Sequence, residues 1–541
     1  MSRVSKAMHV ETIRCRRGDK VYTYHLLRQT YREGGKVKHR TLANLSHLPE
    51  ATVELVRRSL RGEPVGSLSD QLQLHRPRQH GAVAAVVGMM RRLGMDQILS
   101  SRSAAWVRVV MAVLAMRILR PASKLGGTLW WTTTTLPELL RLPHAGRDVN
   151  DVYQAMDVLL SRQATIEAKL ARRHLRPNAV VLYDLTSVYL EGKTCPLARF
   201  GHNRDKKRGK KQFCVGLLTN DEGCPVAVEV FPGDVGDPQT LPAQIARIRS
   251  RFGIEYVVFV GDRGMVVKAR LADLQAVGFG WVTALRAPEI AKLRDQGYFQ
   301  PSLFDRQGVA EIADPERPGE RLVVCYNPLV AEERRQKRQA LLAATEQELA
   351  RLVARVQRRR RKVMTADEIG LAVGKVLGRW KVGKHFRLDI RDGYFAFQRD
   401  EASIAREAEL DGFYVLRTNV PAERMGPSQV QSTYRSLRQI EQNFRTMKSL
   451  LDLRPVYHRL EDRVRAHAFV CMLALYVRHH MERALRPLLE EDPRQSFEGL
   501  MQQLETLQRQ TVVLAGHTFE KLSEPEPLHL RIFQLLGVPL A

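Results

Sequence analysis

The chain is 541 residues long and carries 86 Lys/Arg against 58 Asp/Glu, a formal net charge of +28. With 44% hydrophobic and 7% aromatic residues it has the makings of packed cores, which excludes a disordered or low-complexity chain. The length suits three or four domains of roughly 100–200 residues each, and the surplus of positive charge favours a polyanionic partner, nucleic acid before membrane surface.

Six cysteines, at 15, 195, 214, 224, 325 and 471, lie too far apart for a CxxC pair. Neither a disulfide framework nor a zinc ribbon is indicated, and a reducing, cytoplasmic compartment is expected. The N-terminal residues are charged with no apolar stretch behind them, unlike a signal peptide. The most apolar runs, Trp106–Leu119 and Ala468–Val477, fall short of the ~18 uninterrupted residues of a membrane span. No membrane partner is expected.

In chain order, residues 1–78 hold 16 basic against 7 acidic side chains. Two strands, Tyr22–Tyr31 and Lys36–Asn44, flank the turn Glu33-Gly34-Gly35, because a glycine pair supplies the positive φ that hairpins need. A short helix follows Pro49, with Val53, Val56 and Leu60 on one face. The segment reads either as a small structural cap or as a basic DNA-binding module, and its charge favours the second. Residues 79–176 are helical, with apolar positions every three or four residues and breaks at Gly94, Pro121, Gly126-Gly127 and Pro143.

At Ala179 the texture changes. Ala179–Tyr183, Phe213–Leu218 and Pro225–Phe231 read as strands, Thr240–Phe252 as a helix, and Tyr256–Val260 as a further buried strand, with helix and strand again to about Leu285. A meander feeding a crossover helix implies a mixed sheet flanked by helices. Residues 287–410 read as an insertion around a long amphipathic helix from Ala331 to Lys362, which ends in Arg358-Arg359-Arg360-Arg361-Lys362. Strand texture returns at Gly412–Arg417, a helix spans Ser428–Leu451, and the rest to Ala541 is mainly helical.

Asp184 follows Val180–Tyr183, and Asp262 follows Val257–Gly261, so each stands at the C-terminal end of a strand. If those strands are parallel neighbours, both carboxylates converge where open α/β sheets place their sites. Their mutual repulsion is relieved by a hard divalent cation, Mg²⁺ or Mn²⁺. On the Ser428–Leu451 helix, Leu437, Ile440, Phe444, Met447 and Leu451 form an apolar stripe. Beside it run Tyr434, Arg438, Glu441, Arg445 and Lys448 at the same spacing. Glu441 is placed to complete a two-metal site, and the flanking tyrosine and cations to hold phosphates. Taken singly, a strand-end Asp is commonly a cap and a charged helix border commonly just solvated; the conjunction of all three carboxylates with the basic balance carries the functional reading.

The segments YDLTSVYLEG around Asp184, FVGDRG around Asp262, and the block Tyr434…Glu441…Lys448 together resemble the DDE transposases of bacterial insertion sequences. The likeness is closest to the branch marked by Tyr-x2-Arg-x3-Glu-x6-Lys. The signature arginine falls at Leu437, with Arg438 next to it on the same stripe. The resemblance covers residues 180–286 and 411–450 and, more loosely, the N-terminal hairpin. It implies an α/β, RNase H-like mixed sheet flanked by helices and interrupted by an insertion domain, with a mainly helical N-terminal region and a helical C-terminal tail. On that basis the chain divides into 1–78, a helical region 79–176, a first core segment 177–286, the insertion 287–410, a second core segment 411–455, and a C-terminal region 456–541.

The resemblance further implies that Asp184, Asp262 and Glu441 bind two Mg²⁺ or Mn²⁺ ions. One ion activates the attacking water or 3′-OH and the other stabilises the leaving oxygen. The partners implied are double-stranded DNA, as element terminal inverted repeats and as target, and a second copy of the chain in a synaptic dimer. The route is cut-and-paste and admits a DNA hairpin intermediate, with Tyr434 and Lys448 on the backbone of the element end. Between the first two strands, Arg199–Lys211 contains Arg199, Arg204, Lys206, Lys207, Arg208, Lys210 and Lys211 against the single acid Asp205, a candidate strip for gripping phosphates.

The competing readings are a stand-alone two-metal nuclease and a catalytically inactive DNA-binding descendant. A nucleotide cofactor is not expected. Gly192-Lys193-Thr194 has Ser187 where a phosphate loop needs glycine, and Gly278-Phe279-Gly280 has Thr283 where a Rossmann fingerprint does. A zinc site from Cys195, His202, Cys214 and Cys224 fits no common finger spacing.

Overall fold

The computed structural model describes residues 7–18, 20–63, 72–142, 148–176, 178–202, 204–205, 207, 209–262, 268–301, 308–358, 363–514 and 517–540. The chain forms two compact units, 1–81 with 504–526, and 82–503 with 527–541.

In the smaller unit, β1 (Ala7–Arg17), β2 (Lys20–Glu33) and β3 (Lys36–Asn44) form an antiparallel sheet, and α1 (Glu50–Leu60) packs on β1. Gly34 and Gly35 make the β2–β3 turn at φ 59° and 79°, where a side chain would be strained. β1 escapes a hydropathy reading because Glu11, Arg14, Arg16 and Arg17 leave it without a continuous apolar alternation. Short strands β4 (Leu72–Leu74) and β5 (Arg78–Gln79) pair with Gln508–Leu514, itself paired with His517–Leu522. The tail that reads as mainly helical therefore also contributes a hairpin; its first strand draws its outer pairing from residues more than 400 positions earlier in the chain.

The larger unit begins with helices that include α2 (Gly81–Arg92), α3 (Ala105–Leu119), α4 (Val149–Ser161) and α5 (Gln163–His174). There follow β6 (Val180–Tyr189), β7 (Gln212–Asn220), β8 (Pro225–Pro232), α6 (Asp237–Ala246), β9 (Val258–Val260), α7 (Lys268–Ala276) and β10 (Gly280–Ala284), the order expected from the residues. Beyond them, β11 (Val309–Ile312) and β12 (Arg321–Tyr326) lie inside the segment read as an insertion, yet both join the main sheet. The remainder of that segment, α8 (Pro328–Arg358), α9 (Ala366–Trp380) and the hairpin β13 (Phe386–Arg391) and β14 (Tyr394–Arg399), packs a core of its own around Leu349, Ile369, Val373 and Phe395. The cluster Arg359–Lys362 lies outside the described residues.

With β15 (Phe413–Thr418), the eight-stranded sheet runs β11-β12-β15-β10-β9-β6-β7-β8. The pairs β6–β9 and β9–β10 are parallel and the others antiparallel. Tyr183, Phe259 and Trp281 are fully buried at its centre. The helix read over Ser428–Leu451 is two helices, α10 (Pro427–Arg435) and α11 (Leu437–Ser449), divided at Ser436. The sequence retains helical periodicity across that point, so only the packed structure reveals the break. α12 (Glu461–Glu491) carries the apolar run Ala468–Val477 through the interior, packed on α3, α4 and β8. Among the described residues, no helix is long and apolar enough to cross a membrane.

Where α12 meets the helical region, Lys124 Nζ lies 3.0 Å from His467 Nδ1, and both residues are buried. Burial, reinforced by the charges of Lys124 and Arg117, holds His467 well below its usual value, and the same causes bring His458 to about 3. The unfolded chain takes up these protons near pH 6.5 and the folded chain does not. Stability therefore falls as pH drops from 6.5 toward 3, by up to about 1.4 kcal/mol per pH unit for each fully shifted histidine. Thermal unfolding across this range is expected to show a falling Tm, with a shallower slope in His458→Asn.

Candidate active site

The position of the first carboxylate follows from the unequal lengths of two neighbouring strands. β6 and β9 pair in parallel at Val180↔Val258, Val181↔Phe259 and Leu182↔Val260. There β9 stops, while β6 continues to Tyr189 against β7. Asp184 is thus in the middle of its strand rather than at its end, a correction to the reading from the residues; the unbroken β7 pairing carries the strand past it. Asp184 and Asp262 each lie two residues beyond the last parallel pair, so the gap left by β9 brings both to one sheet edge. Asp184 Oδ1 accepts from the backbone N–H of Leu185 at 2.7 Å.

Glu441 arrives from α11, which packs on β6. Ile440 and Met447 of that helix are fully buried and Phe444 nearly so, while Glu441 and Arg445 are exposed. A second anchor fixes the helix. Asn443 Nδ2 donates at 2.7 Å to the carbonyl of Gly223 in the β7–β8 turn. Gly223 has φ +77° and abuts Gln439, so that turn requires glycine on both conformational and steric grounds.

Asp184, Asp262 and Glu441 line one open cleft of about 370 Å³, together with Thr186, Arg204, Asp205, Phe444, Arg445, Lys448 and Arg454. Three carboxylates without a nitrogen or sulfur donor among them form the oxygen-rich set that hard divalent cations prefer, so the residues present fit Mg²⁺ or Mn²⁺. Of the residues expected on the charged stripe, Glu441, Arg445 and Lys448 reach this cleft. Arg438 lines a separate one with Glu222, Arg445, Arg478, Arg483 and Arg486. Tyr434 belongs to α10 and is absent from the described lining of the carboxylate cleft.

Asp205 has a part that the sequence pattern did not disclose. Its carboxylate is 2.7 Å from Lys448 Nζ and 2.6 Å from Arg454 Nη1, with only 4% of its side chain exposed. The one clue in the sequence is that Asp205 is the sole acid in a strip of seven cations. Burial lowers the pKa of Lys448, and the Asp205 charge and hydrogen bond oppose that shift.

The strip itself is tied down at several points. The backbone N–H of Arg204 donates to Ser187 Oγ at 2.9 Å, Lys207 lies 5.9 Å from the Tyr189 ring centre, and Lys210 pairs with Glu191 at 2.5 Å. Lys211 is exposed, and Lys206 and Arg208 lie outside the described residues. Removing one partner of a buried ion pair strands the other charge. Asp205→Asn is accordingly expected to lower unfolding stability in urea by about 3 kcal/mol, and Asp205→Asn combined with Lys448→Met to recover part of that loss.

Two family models match the chain: "Transposase DDE domain" over residues 176–477, and "IS1634 family transposase, N-terminal domain" over residues 10–65. Among curated proteins, none matches. A solved structure described as a cryo-EM structure of the piggyBac transposase synaptic complex with hairpin DNA aligns over 78% of this chain and 76% of that one. Its identity of 8% and TM-score of 0.33 are too low to carry an argument. The DDE match spans more than half of the chain and includes Asp184, Asp262 and Glu441, and on this ground the chain belongs to the DDE-domain transposase family of insertion sequences.

Proposed function

We propose that this transposase cuts DNA at the ends of its insertion sequence and joins the freed 3′ ends to target DNA, with Asp184, Asp262 and Glu441 as its catalytic carboxylates on an RNase H-like core. The single observation that supports the reading most is the meeting of the three carboxylates in one cleft rimmed by Arg204, Arg445, Lys448 and Arg454. Two carboxylates come from adjoining parallel strands and the third from a helix anchored at Gly223.

Magnesium or manganese held by these carboxylates would supply Lewis-acid stabilisation of phosphoryl oxygens and a lowered pKa for bound water. The chain's own contribution is position and charge. Asp184 is fixed on a strand paired on its β7 side, and Glu441 on a helix whose apolar face is buried. Exposed Arg445 is placed to take a DNA phosphate beside the carboxylates. Lys448 and Arg454 face Asp205 in the DNA-free chain. A phosphate entering the cleft would compete with Asp205 for them, so these cations sense the backbone only when it is seated.

Arg204, Lys207, Lys210 and Lys211 extend the positive rim along the β6–β7 connection, and the basic unit bearing β1–β3 gives a second DNA contact. The active assembly is a homodimer holding two element ends, and the route is cut-and-paste. Tyr434, on the helix before Ser436, and Arg438, which lines the neighbouring cleft, are assigned to DNA flanking the scissile phosphate.

Cleavage of an end-labelled duplex carrying the DNA that flanks this gene provides the test. Nicking at one defined position in Mg²⁺ or Mn²⁺, absent in EDTA, is expected. Asp262→Asn and Glu441→Gln should each slow it roughly 10³-fold or more, as loss of one member of a concerted catalytic group does. Each variant should still bind the duplex. Cutting at no preferred position would favour a general nuclease, and binding without cutting in either metal an inactive DNA-binding protein.

A further inference from the structure

Away from the carboxylate cleft, three donors of a different chemistry converge. His174 is the last residue of α5, Cys224 lies in the β7–β8 turn, and His480 is on α12. One ligand atom from each falls within 4.8 Å of the other two. Cys224 is almost completely buried, and the two histidines are half-buried beside it. The Cys195, His202, Cys214 and Cys224 grouping, already disfavoured by its spacing, is not the one that forms among the described residues; Cys224 meets His174 and His480 instead.

We propose that His174, Cys224 and His480 form a zinc site, separate from the carboxylate cleft, that clips α5 and α12 to the β7–β8 turn. Cys224 Sγ and His480 Nε2 are 3.8 Å apart. Two donors on one tetrahedral zinc, with bonds of about 2.3 Å to sulfur and 2.0 Å to nitrogen, stand roughly 3.6 Å apart. The observed spacing is long for a hydrogen bond and close to that of co-ligands. His174 Nε2 lies 3.0 Å from the Tyr476 hydroxyl. That contact engages one ring nitrogen and orients the ring, the arrangement by which outer partners hold metal-binding imidazoles.

Two imidazoles and a thiol are a poor set for magnesium or manganese and a good one for zinc, with the remaining tetrahedral position left to water. Binding replaces the thiol proton of Cys224 by a sulfur–zinc bond and releases that proton to solvent. The nearby cations do not preclude an ion: Arg483 is paired with Glu222, and Arg173 donates to the carbonyl of Leu93 at 2.6 Å.

The location gives the site its consequence. Cys224 adjoins Gly223, whose carbonyl holds Asn443, two residues from Glu441 on the same helix. An ion at Cys224 would stiffen the seat of α11 without touching the cleft.

The test is metal uptake by the full chain. After equilibration with Zn²⁺ in excess Mg²⁺ and removal of loose metal, wild type and Asp262→Asn are expected to retain one equivalent of zinc and to gain thermal stability. Co²⁺ in its place should give a thiolate-to-cobalt charge-transfer band and tetrahedral ligand-field bands. Cys224→Ser and His480→Gln, with helical content checked by circular dichroism, should bind zinc more weakly by more than the roughly 10–100-fold that loss of a supporting partner costs. Should a variant fail to fold, the cobalt spectrum of wild type decides alone: without a thiolate band the proposal falls. It falls equally if folded wild type takes up no stoichiometric zinc, or if both variants retain it. Nicking that survives zinc removal would leave the clip standing and separate it from catalysis; loss of nicking in Asp262→Asn with zinc retained would test the catalytic reading by itself.

Discussion

The short parallel pairing of β6 with β9 is the constraint on which the rest of the carboxylate cleft's geometry depends. Parallel strands demand a crossover, here supplied by the chain from β8 through α6, and the pairing brings Asp184 and Asp262 to one level although 78 residues separate them. Because β9 ends at Val260, the sheet opens at the depth of both carboxylates. The antiparallel β7 keeps β6 straight beyond that opening. A longer β9 would cover Asp184; a shorter β6 would leave it on a loop without a fixed direction.

α11 closes the arrangement. Its buried face sets its distance from β6, and the Asn443–Gly223 hydrogen bond ties it to the β7–β8 turn. Glu441 is consequently held by packing on one side and by a single polar contact on another. The Asp205 pairs with Lys448 and Arg454 work in the same direction, binding the basic β6–β7 connection to the C-terminal end of the helix. Cations gathered for an anionic substrate repel one another in its absence, and a shared internal carboxylate relieves that repulsion. The second histidine-rich junction, behind the same turn, lies where further stiffening would reach Glu441 through the backbone.

Much of the strand and helix succession of the larger unit was legible in the residues. Continuous apolar runs marked β6, β7 and β9, the Asn220–Gly223 turn marked the β7–β8 connection, and helical spacing set Ile440, Phe444 and Met447 inward with Glu441 at their border. Less legible were β11 and β12. Of the two, only β11 is an edge strand with weak apolar patterning; β12 is a buried apolar run inside the sheet, but nothing local tells whether such a run pairs with the main sheet or with a separate hairpin. The helix break at Ser436 was hidden for a related reason: Ser436 keeps φ −65° and ψ −14°, close enough to helical that periodicity passes through it.

By itself the sequence determined the types of the main elements, the basic character of the chain, the three carboxylates and the face of α11 that turns inward, because each of these follows from residue chemistry or spacing within a few positions. Tertiary structure decided that β6 and β9 are parallel neighbours in a register that aligns Asp184 with Asp262. It also turned Arg438 toward another cleft, paired Lys448 with Asp205 from 243 residues away, and gathered His174, Cys224 and His480 from three elements. These outcomes depend on strand register and on side chains distant in the chain meeting in a packed interior, and local periodicity carries no record of either.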